Sequence, residues 1–147
     1  MRFIKDASKE KLRGGFYTPE KIANFVLKWA VNGNKDYDIL EPSCGDGIFL
    51  EQIKKNDFDF KTITAIEFDP IEANKARKIK LDKCEVITGD FFKFCNSTSK
   101  RFNLIIGNPP YIRYQYFDKA QREEAENISV SVRSRYGLLL YVSLYGP

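Results

Sequence analysis

Four consecutive residues, Asn108-Pro109-Pro110-Tyr111, follow the run Phe102-Asn103-Leu104-Ile105-Ile106 and its closing Gly107. A short apolar run bounded by glycine reads as a buried strand of a parallel sheet. Asn108 then sits just past a strand's carboxyl end, the edge at which open α/β sheets bind ligands. Pro109 pushes Asn108 toward extended dihedrals, and each proline ring holds its own φ near about −65°, so the turn is rigid before any ligand arrives. Neither proline has an N–H. What the turn offers is acceptors, the Asn108 side-chain oxygen and the Pro109 carbonyl, with the Tyr111 ring beside them. That set suits a planar amine. The bland alternative is a Pro-Pro turn with Asn as turn former and Tyr packing on the surface.

Several elements must position this turn. Tyr37-Asp38-Ile39-Leu40-Glu41-Pro42 reads as a first strand, and Ser43-Cys44-Gly45-Asp46-Gly47 as the loop leading into a helix near Ile48. Strand, glycine loop and helix form the first βα turn of a Rossmann-like sheet. It is neither a Gly-x-Gly-x-x-Gly fingerprint nor a phosphate loop, and acidic Glu41 and Asp46 flank it, so a diphosphate would be repelled and a cation attracted. Gly45 and Gly47 let the backbone approach a ligand without a Cβ in the way. Cys44 reads as a small apolar residue.

A second strand, Thr62 to Ile66, ends at Glu67, about 20 positions beyond the glycine turn, where an acid is placed to accept from ribose hydroxyls. Asp69-Pro70-Ile71-Glu72 supplies a cap, a first-turn proline and a capping-box acid for a helix running to about Leu81. A third strand, Cys84 to Thr88, leads to Gly89-Asp90-Phe91-Phe92. Asp90 could accept from an exocyclic amine while Phe91 packs on the ring that carries it, or the pair is a turn and core. Ahead of the sheet, Thr18-Pro19-Glu20 predicts a helix start capped by Thr18, with Ile22, Phe25, Val26 and Trp29 on its buried face and Gly33-Asn34 ending it.

Composition narrows the chemistry. No histidine is present, which removes Ser-His-Asp and Cys-His catalysis and argues against a transition-metal site. Cys44, Cys84 and Cys95 are odd in number and lack Cys-x-x-Cys spacing, so neither a disulfide framework nor a zinc site is indicated. A net charge of +4 permits nucleic-acid binding without demanding it. The 147 residues suit one domain. No apolar run approaches the roughly 18 residues of a membrane span, and Met1 to Lys5 lacks the apolar stretch of a secretory signal, so the cytoplasm is expected.

Asn-Pro-Pro-Tyr after an apolar strand resembles the catalytic NPPY motif of S-adenosylmethionine-dependent amino-methyltransferases, of which adenine-N6 DNA methyltransferases are the largest group. Glu41-Pro42-Ser43-Cys44-Gly45-Asp46-Gly47 resembles their first motif, and Gly14-Gly15-Phe16-Tyr17-Thr18-Pro19 their N-terminal cofactor motif. That order, with the cofactor motif first and the catalytic turn last, resembles the γ type, including restriction-modification enzymes. The resemblance implies an α/β fold with a Rossmann-like methyltransferase sheet and S-adenosyl-L-methionine as cofactor. It implies catalytic roles for Asn108, Pro109 and Tyr111. Cofactor contacts would come from Tyr17, Thr18, Glu41, Pro42, Cys44, Gly45, Asp46, Gly47, Glu67, Phe68, Asp90, Phe91, Asn108 and Pro110. Double-stranded DNA is the implied partner, with no membrane, and the implied reaction is methyl transfer to N6 of a flipped adenine.

The family's usual sheet has seven strands and a separate target-recognition domain, whereas four strands are legible here. The expectation is therefore a basic arm over residues 1–15 and a partial catalytic domain over 16–147, incomplete at its C-terminal side. Leu104 to Ile106 would then be an exposed sheet edge open to self-association or a partner subunit. Ile112-Arg113-Tyr114-Gln115-Tyr116-Phe117 suits a loop touching DNA or aromatics covering the sheet, Asp118 to Asn127 is helix-prone, and Tyr136 to Leu144 reads as an apolar helix. Two alternatives stay open: a protein-glutamine or RNA amino-methyltransferase, and a non-catalytic fragment that binds cofactor or a subunit.

Overall fold

The computed structural model of the chain describes residues 17–31, 36–108 and the backbone of 138 and 139. Its elements are α1 (Glu20–Ala30), β1 (Asp38–Glu41), α2 (Ile48–Lys55), β2 (Thr62–Glu67), α3 (Pro70–Arg77), β3 (Cys84–Thr88), α4 (Phe91–Ser97), β4 (Leu104–Ile105) and β5 (Leu138–Leu139). The arm at 1–15, Gly33-Asn34, the turn residues Pro109, Pro110 and Tyr111, and the segments 112–117 and 118–127 lie outside the described residues.

The strands form one parallel sheet in the order β3-β2-β1-β4-β5. The chain lays β2 and β3 to one side of β1, then crosses to put β4 on the other. A switch point of this kind opens a crevice beyond the carboxyl ends of the two strands where the order reverses, here β1 and β4. Register aligns those ends: Leu40 lies opposite Ile105, Glu41 opposite Ala65, and Glu67 opposite Thr88. Strand β2 is buried without alternation over Ile63-Thr64-Ala65-Ile66, the mark of a strand covered on both faces. Ile39, Phe49, Leu50, Ile53, Ile63, Leu104 and Ile106 form the core with Ala23 and Leu27 of α1.

Helix α1 turns differently from the expectation. Ile22, Phe25 and Trp29 stay 53%, 70% and 57% exposed, Val26 alone of the expected face packs partly buried against the core, and Ala23, Leu27 and Ala30 are buried. Two apolar stripes overlap on this helix, and periodicity does not say which faces inward. The small alanines allow close approach, and polar contacts select that face: Asn24 Nδ2 donates to Gln52 Oε1 and Asn56 Oδ1 of α2 and its C-cap, and Glu20 pairs with Lys55.

Thr18 does not cap α1. The cap position is Pro19, with no side-chain bond. Asp69 does cap α3, accepting from the Ile71 N–H at 2.8 Å, but the expected capping box does not close, because the Asp69 N–H goes to Glu67 Oε1 at 2.7 Å and Glu72 pairs with Lys75 instead. Helix α3 ends at Arg77, short of Leu81. The expected bare edge at Leu104 to Ile106 is covered: β5 pairs with β4, Leu104 opposite Leu138 and Ile105 opposite Leu139. Residues 138 and 139 are therefore strand, not part of an apolar helix. No described helix is long and apolar enough to cross a membrane.

Candidate active site

The crevice at the β1/β4 switch holds a cavity of about 50 Å³, lined by Tyr17, Thr18, Glu41, Ser43, Cys44, Gly45, Asp46, Ile48, Phe49 and Asn108. One water needs about 10–15 Å³, so the space holds a few waters' worth of volume and is open to solvent on one side. Three stretches far apart in sequence meet here: the residues ahead of α1, the glycine turn after β1, and the loop after β4. Sheet topology does this, since β1 and β4 are adjacent and their trailing loops rise from the same edge.

Glu41 is the last residue of β1 and 1% exposed, and among the described residues its Oε2 has no hydrogen-bond partner. A buried carboxylate without a partner is costly. Burial first, and then the charges of Asp46 and Glu67, push its carboxyl well above the usual carboxylate range. Asp46 is also raised, by burial and by Glu72. Ser43 Oγ is likewise buried and has no partner among the described residues. An acidic pocket with unused acceptors is built to receive a cation that donates hydrogen bonds. The residues present therefore fit a positively charged ligand without phosphate, as the sequence argument expects of S-adenosyl-L-methionine.

Gly45 adopts φ +56°, and a Cβ there would meet nothing within 4 Å, so its missing side chain leaves open space. Gly47 is different. At φ +95° its Cβ would come within 2.5 Å of Ile79 Cδ1 and 3.1 Å of Ala76, so this glycine permits α3 to approach the start of α2 rather than a ligand to approach the loop.

Glu67 lies at the end of β2 as expected, and both its oxygens already accept backbone N–H groups: Gly45 to Oε2 at 2.8 Å and Asp69 to Oε1 at 2.7 Å. The carboxylate thereby clamps the glycine turn to β2. Each oxygen keeps a second lone pair for a ligand. Asp90 caps α4, accepting from the Lys93 N–H at 3.0 Å. Phe91 begins that helix, its ring centroid 5.7 Å from that of Phe92. Neither lines the cavity; nor do Pro42, Gly47, Glu67 or Phe68, although Phe68 is 74% exposed just beyond Glu67.

Asn108 is partly buried and its Nδ2 donates to Thr18 Oγ1 at 3.1 Å. Cys44 is buried, with its thiol pushed up chiefly by burial, so the apolar reading of this residue holds. Ser43, Ile48 and Phe49 line the cavity without having been singled out in the sequence. Ser43 had a signal, standing inside the glycine turn; the other two read as ordinary apolar helix residues.

The family model of the N-6 DNA methylases matches residues 2–136, and the chain belongs to that family. The Type II methyltransferase M.CvrRI of Paramecium bursaria Chlorella virus XZ-6E is 38% identical over 106 residues, covering 71% of this chain and 26% of that protein. M.HincII of Haemophilus influenzae, also a Type II methyltransferase, is 30% identical over 129 residues, covering 85% of this chain and 22% of that protein. The chain thus spans about a quarter of the length of these curated relatives. Among solved structures, yhhF of Escherichia coli, a protein assigned as a methyltransferase, matches with a TM-score of 0.58 at 18% identity, over 82% of this chain and 65% of that one. The fold is the Rossmann-like α/β fold of the S-adenosylmethionine-dependent methyltransferases.

Proposed function

We propose that this chain carries the cofactor cradle and catalytic turn of an adenine-N6 DNA methyltransferase of restriction-modification type, with S-adenosyl-L-methionine as methyl donor and double-stranded DNA as substrate. The observation that carries the reading is the convergence on one cavity of Asn108, the Gly45-Asp46 turn and Glu41, whose Oε2 has no partner among the described residues. Kinship with the Type II enzymes supports DNA over RNA or protein as the acceptor.

When bound, the cofactor would supply an electrophilic methyl group on a sulfonium, the sulfur keeping the electron pair as the methyl passes to the amine. The cavity's residues do the rest. Glu41 and Asp46 hold the cationic end of the donor, and Gly45 leaves room beside it. An adenine in a duplex must leave the stack at a cost of a few kcal/mol, and stacking on Tyr111 would return roughly 1–3 kcal/mol of it. The Asn108 oxygen and the Pro109 carbonyl accept the two N6 hydrogens. They thereby stabilise positive charge as it develops on a nitrogen whose lone pair is otherwise delocalised into the ring. The methylated nitrogen is acidic and sheds its proton to a neighbour or water, so no strong base is required. Alignment of sulfur, methyl and nitrogen accounts for much of the acceleration.

The test is labelled-methyl transfer to duplex DNA, tRNA and a glutamine-bearing protein, beside calorimetry with the cofactor. Asn108→Ala should abolish transfer to DNA and leave cofactor affinity within a fewfold. Turnover retained in that variant, or label appearing only on RNA or protein, refutes the assignment.

A further inference from the structure

The sequence offers Thr18 two explanations, a helix cap and a cofactor contact; the structure shows no cap, and at the edge of the cavity it shows a bond to a distant residue. The hydroxyl makes no capping bond to α1. It accepts instead from the side-chain amide of Asn108, ninety residues further along the chain, at 3.1 Å, and both side chains border the cavity that holds Glu41 and Asp46. We infer that Thr18 is a positioning residue: its hydroxyl takes the Asn108 amide nitrogen and so turns the amide oxygen toward the incoming amine. This rests on the methyl-transfer reading above and goes beyond it, by naming what fixes the orientation of the group that meets the substrate.

A carboxamide is nearly symmetric in shape, and rotating it by half a turn exchanges an acceptor for a donor at almost no steric cost. For a residue that must accept from an amine, the flipped form is useless, because two N–H donors would face each other. Pro109 restrains the Asn108 backbone but leaves the terminal rotation of the side chain free. A hydroxyl can accept or donate, so Thr18 selects one orientation only while its own O–H is directed to another acceptor; in the structure the Asn108 amide donates to it. A planar amide whose nitrogen is committed on one side presents its oxygen on the other.

The tie also couples two loops. Thr18 follows Tyr17, which borders the same cavity, so residues 17 and 18 ahead of α1 are tied to Asn108 at the end of the β4 loop. A cofactor that orders Tyr17 and Thr18 would set Asn108 for its amine, and donor binding would precede productive acceptor binding.

Thr18→Val keeps the shape and removes the hydroxyl; Thr18→Ser restores the hydroxyl. The first readout needs no turnover: in ¹⁵N-labelled protein, the Asn108 side-chain amide, assigned by its loss in Asn108→Ala, should move and exchange with water about tenfold faster in the Val variant, and return in the Ser variant. The second is kinetic. In the Val variant kcat should fall about 10- to 100-fold, the scale of a small misplacement. Cofactor Kd by calorimetry should stay within about threefold, and Ser should recover most of the rate. An Asn108 amide unmoved in Thr18→Val overturns the inference, and so does a Val variant with unchanged kcat. A loss confined to cofactor affinity overturns it as well, since Thr18 would then be only a ligand contact. Absence of any transfer by the wild-type chain counts against the methyl-transfer reading instead, and the amide readout still decides whether Thr18 holds Asn108.

Discussion

Glu41→Gln separates the two things the glycine-turn acid does. In the free protein its carboxyl is buried, lacks a partner on Oε2, and is raised by burial and by the charges of Asp46 and Glu67. The folded chain therefore binds this proton more tightly than the unfolded chain, whose ordinary value is 4.5. Stability then falls as pH rises through that window, from 4.5 up to the folded value, at about 1.4 kcal/mol per pH unit, or about 4 °C of Tm per unit for a chain of this size. Gln, with the same shape and no charge to desolvate, removes that slope. Thermal melts from pH 5 to 8 should show the variant gaining on the wild type as pH rises. Cofactor binding should behave oppositely. An ammonium or sulfonium at Glu41 favours the carboxylate, so binding releases a proton below the folded value and tightens with pH. Losing a charge-assisted hydrogen bond of about 1.5–3 kcal/mol weakens the variant about 10- to 150-fold and abolishes the proton release. Calorimetry in buffers of different ionisation enthalpy counts that proton. Parallel melting slopes in the two proteins, or binding enthalpies independent of buffer, would refute the argument.

Gly47→Ala should cost about 1–3 kcal/mol, because φ is +95° and the new Cβ would strike Ile79 and Ala76; urea denaturation measures it, and a neutral result would mean α3 can shift freely. Leu27→Ala should cost about 2–5 kcal/mol while Phe25→Ser stays within about 0.5 kcal/mol, since Leu27 is 0% and Phe25 70% exposed; the reverse order in denaturant midpoints would show α1 turned the other way. Burial pushes the Cys84 thiol up to about 12 and the Cys95 thiol up to about 11. Iodoacetamide at pH 8 should accordingly label native Cys84 and Cys95 at least about 100-fold more slowly than the urea-unfolded chain, as mass spectrometry of each peptide would report.

The parts of this fold that sequence makes legible are those with a local cause. Continuous burial of Ile63 to Ile66 follows from a short β-branched, mostly apolar run, and the α3 cap follows from Asp69-Pro70. What stays hidden depends on partners distant in the chain. Which stripe of α1 faces inward is decided by Gln52 and Asn56 on another helix. The fifth strand shows the same limit: two leucines at 138 and 139 carry no strand period of their own, and only β4 lying alongside makes them strand.

In the site, residue types pointed to the place and long-range geometry fixed the tasks. Glycines and acids at the strand ends lead to the expectation of a cation cradle, and Glu41, Gly45 and Asp46 line one cavity. Gly47 has the same signature as Gly45, yet its φ and its distance to Ile79 tie it to helix packing, a distinction that exists only once α3 is in place. Glu67 was read as an acceptor for a ligand, and as built it also accepts the N–H of Gly45, holding in shape the very turn that the ligand would need. An acid at a strand end can thus shape a glycine turn from outside the cavity, a task distinct from that of Glu41, and the two part on substitution. Glu67→Gln keeps one carbonyl acceptor but loses an oxygen that a backbone N–H requires. It should therefore loosen the turn in the free protein, whereas Glu41→Gln, with no bond to lose at Oε2, should not.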